Sequence, residues 1–213
     1  NGNKITLKER QQLFLEFAKT QHRGPEHSVF KNISDSFILG FHRLRIVDIA
    51  HGTQPFHNSE ETVFCICNGE IYNHTALKKH HNLQTRTHSD CEVIYQLYMK
   101  YGEYEFDSYI GELDGVYSFC IVDLRNSKPK VIISRDPFGV RSLYYSLVDN
   151  KLYFASEMKS IPRIQNIQNF PAGHIAIINS DHAININQNN QNNQNNQNSQ
   201  NSQNSQNNKI DMH

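Results

Sequence analysis

Several absences narrow the class of this chain before any motif is read. Neither charge is in excess: 21 Lys and Arg stand against 21 Asp and Glu. That balance removes the electrostatic reason to expect nucleic acid or an anionic membrane as a partner. No apolar run approaches the roughly 18 residues of a membrane-spanning helix. The pattern of a signal peptide, with its basic start, apolar stretch and small-residue cleavage site, is missing too. A soluble, cytoplasmic protein is therefore expected. The four cysteines (Cys65, Cys67, Cys91, Cys120) have no framework spacing, which excludes a disulfide scaffold and fits reduced thiols. Glycine-rich phosphate loops are absent, and so are zinc-type Cys and His spacings despite 12 histidines, so no metal and no cofactor is expected in the folded part.

What is present divides unevenly. From Asn187 to Asn208 every residue is Asn, Gln or Ser. Such a tract has no apolar side chains to offset its chain entropy, so residues 184–213 are expected to be a disordered low-complexity tail and residues 1–183 one folded domain. Within that domain, Leu13, Phe14, Phe17 and Ala18 form one stripe of an amphipathic helix over residues 7–20, broken by Gly24-Pro25. Residues 36–49 and 61–67 read as strands, the second ending in a tight turn at Asn68-Gly69. A short helix follows over residues 73–81. Another begins at Ser89, with Glu92 placed for a capping box, and stops at Gly102. A further helix and then five strands complete the pattern, which argues for α+β with antiparallel sheets.

Polar residues gather where strands end. Arg43 can clamp a carboxylate with two parallel hydrogen bonds, and Asp90 can pair with an ammonium group. Together they hold the two charges of an amino-acid zwitterion. The Asn68 amide and the Gly69 N–H can point at a developing oxyanion, which suggests acyl transfer. Taken singly each residue also fits a plainer role: a turn at Asn68-Gly69, a helix cap at Ser89-Asp90, a solvated charge at Arg43.

Taken jointly, the segments HRGPE (22–26), GFHRLRIVD (40–48), QPF (54–56), NGEIYNH (68–74), SDCEV (89–93), LDGVYSF (113–119), RDPFGVRSLYY (135–145), SEMKSI (156–161) and FPAGH (170–174) resemble, in order, the glutaminase domain of the glutamine-hydrolysing asparagine synthetases. RDPFGVR is shared with other class II glutamine amidotransferases; NGEIYNH is the asparagine synthetase version. The resemblance implies an N-terminal nucleophile hydrolase fold, a four-layer αββα sandwich of antiparallel sheets. It implies that glutamine is held by Arg43 at its α-carboxylate and Asp90 at its α-ammonium. Backbone groups of Leu44, Arg45, Ile46 and Val47 would line the pocket, Asn68 and Gly69 would form the oxyanion hole, and Glu70 would contact the substrate. ATP and Mg²⁺ would belong to a separate synthetase domain, whose Ser-Gly-Gly-x-Asp-Ser loop does not occur in this sequence.

The family's nucleophile is an N-terminal cysteine whose own α-amine carries the proton. Here residue one is Asn1, and no cysteine precedes Cys65. Cys65 and Cys67 alternate onto one strand face and read as packed core. Cys91, in the first turn of a helix, has a position that can lower a thiol pKa. The expectation is a glutaminase domain short of its first, nucleophile-bearing strand, inactive alone and poorly soluble. The alternatives are a catalytically dead glutamine-binding module and an enzyme using Cys91.

Overall fold

The computed structural model describes residues 4–44, 53–162, 166–179 and 184–188. Thr6 opens the first helix, α1 (Leu7–Ala18), through a reciprocal cap: its hydroxyl accepts from the Glu9 N–H, and the Glu9 carboxylate accepts from the Thr6 N–H. Two donors that a first turn leaves without partners are satisfied in this way. Two strands follow, β1 (His27–Asn32) and β2 (Ile38–Arg43), then the short β3 (Phe56–His57) and the long β4 (Val63–Ile71). The helices α2 (His74–His80) and α3 (Glu92–Ile110) separate these from β5 (Gly115–Asp123), β6 (Lys130–Arg135), β7 (Tyr144–Val148), β8 (Lys151–Ala155), β9 (Gln168–Asn169), β10 (His174–Asn179) and β11 (Ile184–Gln188).

The named strands pair antiparallel throughout. A six-stranded sheet runs β11-β10-β6-β5-β4-β3, beside a two-stranded sheet β1-β2 and a three-stranded sheet β8-β7-β9. Alternation along β4 explains the layering. Val63, Cys65, Cys67 and Ile71 point to one face and pack with Val93, Ile94, Leu97 and Tyr98 of α3. Phe64 and Ile66 point to the other, against Leu39 of β2 with Ile33 and Phe37. Further along the same face, Ile133, Ala176 and Ile178 meet Leu143, Phe170 and the partly buried Tyr145 and Phe154. Outside the smaller sheets, α1 lays Phe14 and Phe17 on Phe30 and stacks Phe17 on His42 with ring centroids 3.8 Å apart. The layers are thus helices, sheet, sheets and helix, the expected αββα sandwich.

Burying a side chain such as Ile94 contributes about 1.5–3 kcal/mol, whereas an exposed pair such as Lys4–Asp35 is screened by water and adds little. The core between α3 and the six-stranded sheet is therefore what holds the fold.

Four details differ from expectation. Asn68-Gly69 is not a turn: β4 runs through both residues, paired to Ser118 and Tyr117 of β5. No Ser89–Glu92 capping box forms. The Glu92 carboxylate turns back to accept from the N–H groups of Arg86 (2.8 Å) and Thr87 (2.7 Å), and so ties down the preceding loop. β1 escapes sequence reading because its burial does not alternate. Finally, a boundary at residue 184 cuts a hairpin, since β11 pairs with β10 from His174↔Gln188 to Ile178↔Ile184; residues 189–213 of the expected tail lie outside the described residues. Gly102 does interrupt the helical run as expected, at φ 70°, ψ −167°.

Candidate active site

The expected site residues come from three places. Arg43 ends β2, is buried at 4% exposure, and donates from Nη1 to Thr53 Oγ1 at 3.0 Å. A parallel bridge from Pro25 to Arg43 sets its backbone against the turn after α1. Asn68, Gly69 and Glu70 lie in sequence on β4, and Asp90 sits just before α3. Leu44 is exposed. Arg45, Ile46 and Val47 fall outside the described residues.

Register decides which way the β4 groups face. In the β4–β5 ladder, Tyr72 donates to Asp114 O and Leu124 donates to Thr62 O, so even-numbered residues of β4 exchange hydrogen bonds with β5. The odd-numbered N–H and C=O groups face the opposite edge, beyond the end of the short β3. Along that edge the Cys67 N–H donates to Gln54 Oε1 at 2.6 Å, and Gln54 Nε2 donates to the Cys67 C=O at 3.1 Å. Two residues on, the Gly69 C=O accepts from Cys91 Sγ at 3.5 Å. The Ile71 N–H then donates to Asp90 Oδ2 at 2.6 Å. The Gly69 N–H lies on this edge, between a bound Gln54 and a bound Asp90. Glycine is required at that position: a Cβ would meet the Val116 carbonyl oxygen at 2.2 Å and Tyr117 Cα at 2.6 Å.

The Asn68 side chain leaves β4 on the face toward the smaller sheets, where its Nδ2 donates to Ser156 Oγ at 3.3 Å. Arg43 and Asn68 are linked through the chain itself. Arg43 holds Thr53, and the adjoining Gln54 grips Cys67, next to Asn68. The structure therefore brings Gly69 and Asp90 to one strand edge and connects Arg43 to it, while the Asn68 side chain leaves the adjoining face and Glu70 is exposed.

The QPF and RDPFGVR segments hold buried polar residues whose roles their residue types do not reveal. Gln54, 6% exposed, is the clamp on Cys67. Asp136, fully buried, accepts from the N–H groups of Phe138 (3.1 Å), Val140 (3.0 Å) and Arg141 (3.0 Å). Arg135 donates to the carbonyls of Arg141 (2.7 Å), Gly139 (2.6 Å) and Phe170 (2.7 Å) and to Asn169 Oδ1 (2.8 Å). The RDPFGVR segment is thus a self-bonded loop that turns Phe138 outward, 87% exposed. The only sequence signal for such roles is a polar residue flanking proline.

None of the four thiols is presented as a nucleophile. Cys65, Cys67 and Cys91 are buried and all four are free. Burial pushes Cys65 well above the ordinary thiol range and Cys120 up to about 12. Cys91 is pushed well up by its hydrogen bond to Cys67 and then by burial, so the lowering expected from its helix position is overturned. That same bond favours the Cys67 thiolate, yet burial and the nearby Cys65 and Asp90 outweigh it and leave Cys67 raised.

Against this geometry, a profile of the glutamine amidotransferase domain matches residues 3–174. The chain belongs to the glutamine amidotransferase domain family. Among curated relatives of this domain, asparagine synthetase [glutamine-hydrolyzing] 1 of Arabidopsis thaliana is 38% identical over 159 residues, covering 73% of this chain and 26% of its own. The asparagine synthetase [glutamine-hydrolyzing] of Sandersonia aurantiaca is 40% identical over 160 residues, covering 74% of this chain and 29% of its own. The chain thus spans about a quarter of the length of these relatives. Among solved structures, the glutamine phosphoribosylpyrophosphate amidotransferase from B. subtilis, complexed with ADP and GMP, superposes with TM-score 0.69 at 20% identity. It covers 88% of this chain and 47% of that one, a likeness of fold that agrees with the sandwich of antiparallel sheets described above. Among the described residues no helix is long and apolar enough to cross a membrane.

Proposed function

We propose that this domain is the ammonia-supplying glutaminase part of a cytoplasmic asparagine synthetase, and that its strand edge at Gly69 is where glutamine is bound and polarised. The observation that carries this reading is the direction of the Gly69 N–H, on the edge of β4 that does not face β5, with Asn68 beside it and Asp90 held on the Ile71 N–H two residues along. The curated asparagine synthetases that match over this same stretch support the choice of product, and their greater length supports a synthetase domain in the parent protein.

In this reading Arg43 takes the α-carboxylate of glutamine and Asp90 its α-ammonium. These two charges set the side-chain amide against Asn68 and Gly69, with Leu44 to Val47 and Glu70 lining the remainder. A thiolate adds to the amide carbon, and the C=O electrons move to oxygen, where the Asn68 Nδ2–H and Gly69 N–H donate to the oxyanion. As the C=O re-forms, the C–N bond breaks and nitrogen leaves with a proton as ammonia. Water then cleaves the thioester to glutamate and regenerates the thiol. The domain itself needs no cofactor; ATP and Mg²⁺ would serve the synthetase domain.

The 213 residues contain no thiol fit for that step, because all four cysteines are raised in pKa and packed. The chain by itself is therefore expected to bind glutamine without turning it over. Calorimetry with glutamine, paired with a coupled glutamate assay, tests both parts. Binding that is lost in Arg43→Ala and in Asp90→Asn, with no glutamate formed, is the expected result. Turnover by the unmodified chain refutes the thiol assignment, and binding unaffected by both substitutions refutes the pocket.

A further inference from the structure

The zinc-type spacings sought in the sequence are absent, yet the fold assembles a donor set that spacing alone does not reveal. His80 is the last residue of α2, His81 follows it, and Glu112 lies in the turn after α3. One ligand-capable atom from each of the three lies within 4.8 Å of the other two. Ligands around a tetrahedral zinc with bonds of about 2.1 Å stand about 3.4 Å apart. His81 Nε2 and Glu112 Oε2 are already 2.9 Å apart. Small side-chain rotations of the exposed His80 and Glu112 close the remainder.

The central ligand is held as metal-binding histidines are held. His81 is 4% exposed. Its ring stands edge-on to Tyr101, with centroids 5.6 Å apart, and to Tyr109, at 5.1 Å. Its Nδ1 meets the Tyr101 hydroxyl at 3.0 Å, which fixes the ring and leaves Nε2 directed at Glu112. The backbone on both sides is anchored. The His81 N–H donates to Leu77 O, while Asn73 Nδ2, at the opposite end of α2, donates to Glu112 O at 2.8 Å. A His81–Glu112 ion pair uses two of these groups and leaves unexplained the convergence of His80 on the same point.

We propose that His80, His81 and Glu112 form a three-donor Zn²⁺ site that ties the C-terminal end of α2 to the turn after α3. Two imidazoles and one carboxylate suit zinc, whereas Ca²⁺ and Mg²⁺ prefer all-oxygen sets. Exposure of His80 and Glu112 leaves the fourth position to water. The site shares no residue with the glutamine edge, and its expected effect is on stability.

The test is a calorimetric titration of the full chain, stripped of metal with a chelator and dialysed, with ZnSO₄, followed by Co²⁺ substitution read in the visible spectrum. One Zn²⁺ per chain is expected, with tetrahedral d–d bands for Co²⁺ and a melting temperature raised by zinc. His80→Ala and Glu112→Gln, both surface changes that leave the fold intact by circular dichroism, are each expected to weaken binding about tenfold or more and to abolish the rise in melting temperature. No stoichiometric uptake by the parent chain overturns the proposal. Uptake that both variants retain undiminished overturns it equally, since the ion then sits among other histidines.

Discussion

At the scale of single residues, the site depends on how closely backbones approach. Gly69 is the clearest case, since any Cβ there collides with the neighbouring strand. Gly69→Ala is expected to cost about 1–3 kcal/mol or more through overpacking, seen as a lowered midpoint in urea, and to abolish glutamine binding in the same preparation. Gln54 makes a different contribution. Its amide satisfies both the N–H and the C=O of Cys67 in a buried setting. Gln54→Ala strands two buried groups, each costing about 1–3 kcal/mol; an unchanged denaturation midpoint in that variant would remove Gln54 from its clamping role. Neither residue type announces this. Asn68-Gly69 has the composition of a turn, and only pairing with Ser118 and Tyr117 converts it to strand.

At the scale of elements, most boundaries were legible because they rest on local chemistry. The helical spacing of α1 and the apolar run of β4 are local, and both elements form there, although β4 continues through the expected turn to Ile71. Gly102 breaks the helical run in a conformation L side chains rarely adopt, although a Cβ there would meet nothing within 4 Å. The penalty of Gly102→Ala is therefore purely conformational. About 1–3 kcal/mol of destabilisation is expected with glutamine binding unchanged, whereas a raised melting temperature would mean that a continuous helix is preferred. A second element-scale feature joins α3 to β5. Tyr98 donates to Asp123 at 2.7 Å, and Arg125 grips the same carboxylate at 2.6 Å. Burial alone would raise Asp123, but the bonds from Arg125 and Tyr98 outweigh it and hold the carboxyl below its usual range. A lowered folded-state pKa stabilises the protein above the unfolded value and loses that contribution as pH falls through the folded one. Asp123→Asn is expected to destabilise at neutral pH, and its deficit relative to the parent should narrow below about pH 4, the unfolded carboxyl range, in melts recorded from pH 7 to pH 2.

At the scale of the whole molecule, the apolar stripe of α1 is only partly covered: Leu13 and Phe17 are half-buried, Phe14 and Ala18 are exposed, and the buried residue of the helix is Glu16. Phe14 is 51% exposed and Leu15 60% exposed, and Phe138 adds a nearly bare ring on the RDPFGVR loop. Exposed apolar groups of this size favour association. Size-exclusion chromatography with light scattering is expected to show oligomers that Leu15→Lys and Phe138→Ser together reduce; a monodisperse monomer at high concentration would contradict this. The α+β class, most helix and strand positions and the packed thiols at Cys65 and Cys67 follow from the sequence alone, because alternation and burial act over a few neighbouring positions. The tertiary structure decided what those groups face. The Gly69 edge follows from the β4–β5 register, the Gln54 clamp from a loop returning 13 residues away in sequence, and the His80–His81–Glu112 cluster from a contact 31 residues apart. Those relations depend on long-range pairing, which residue spacing does not encode.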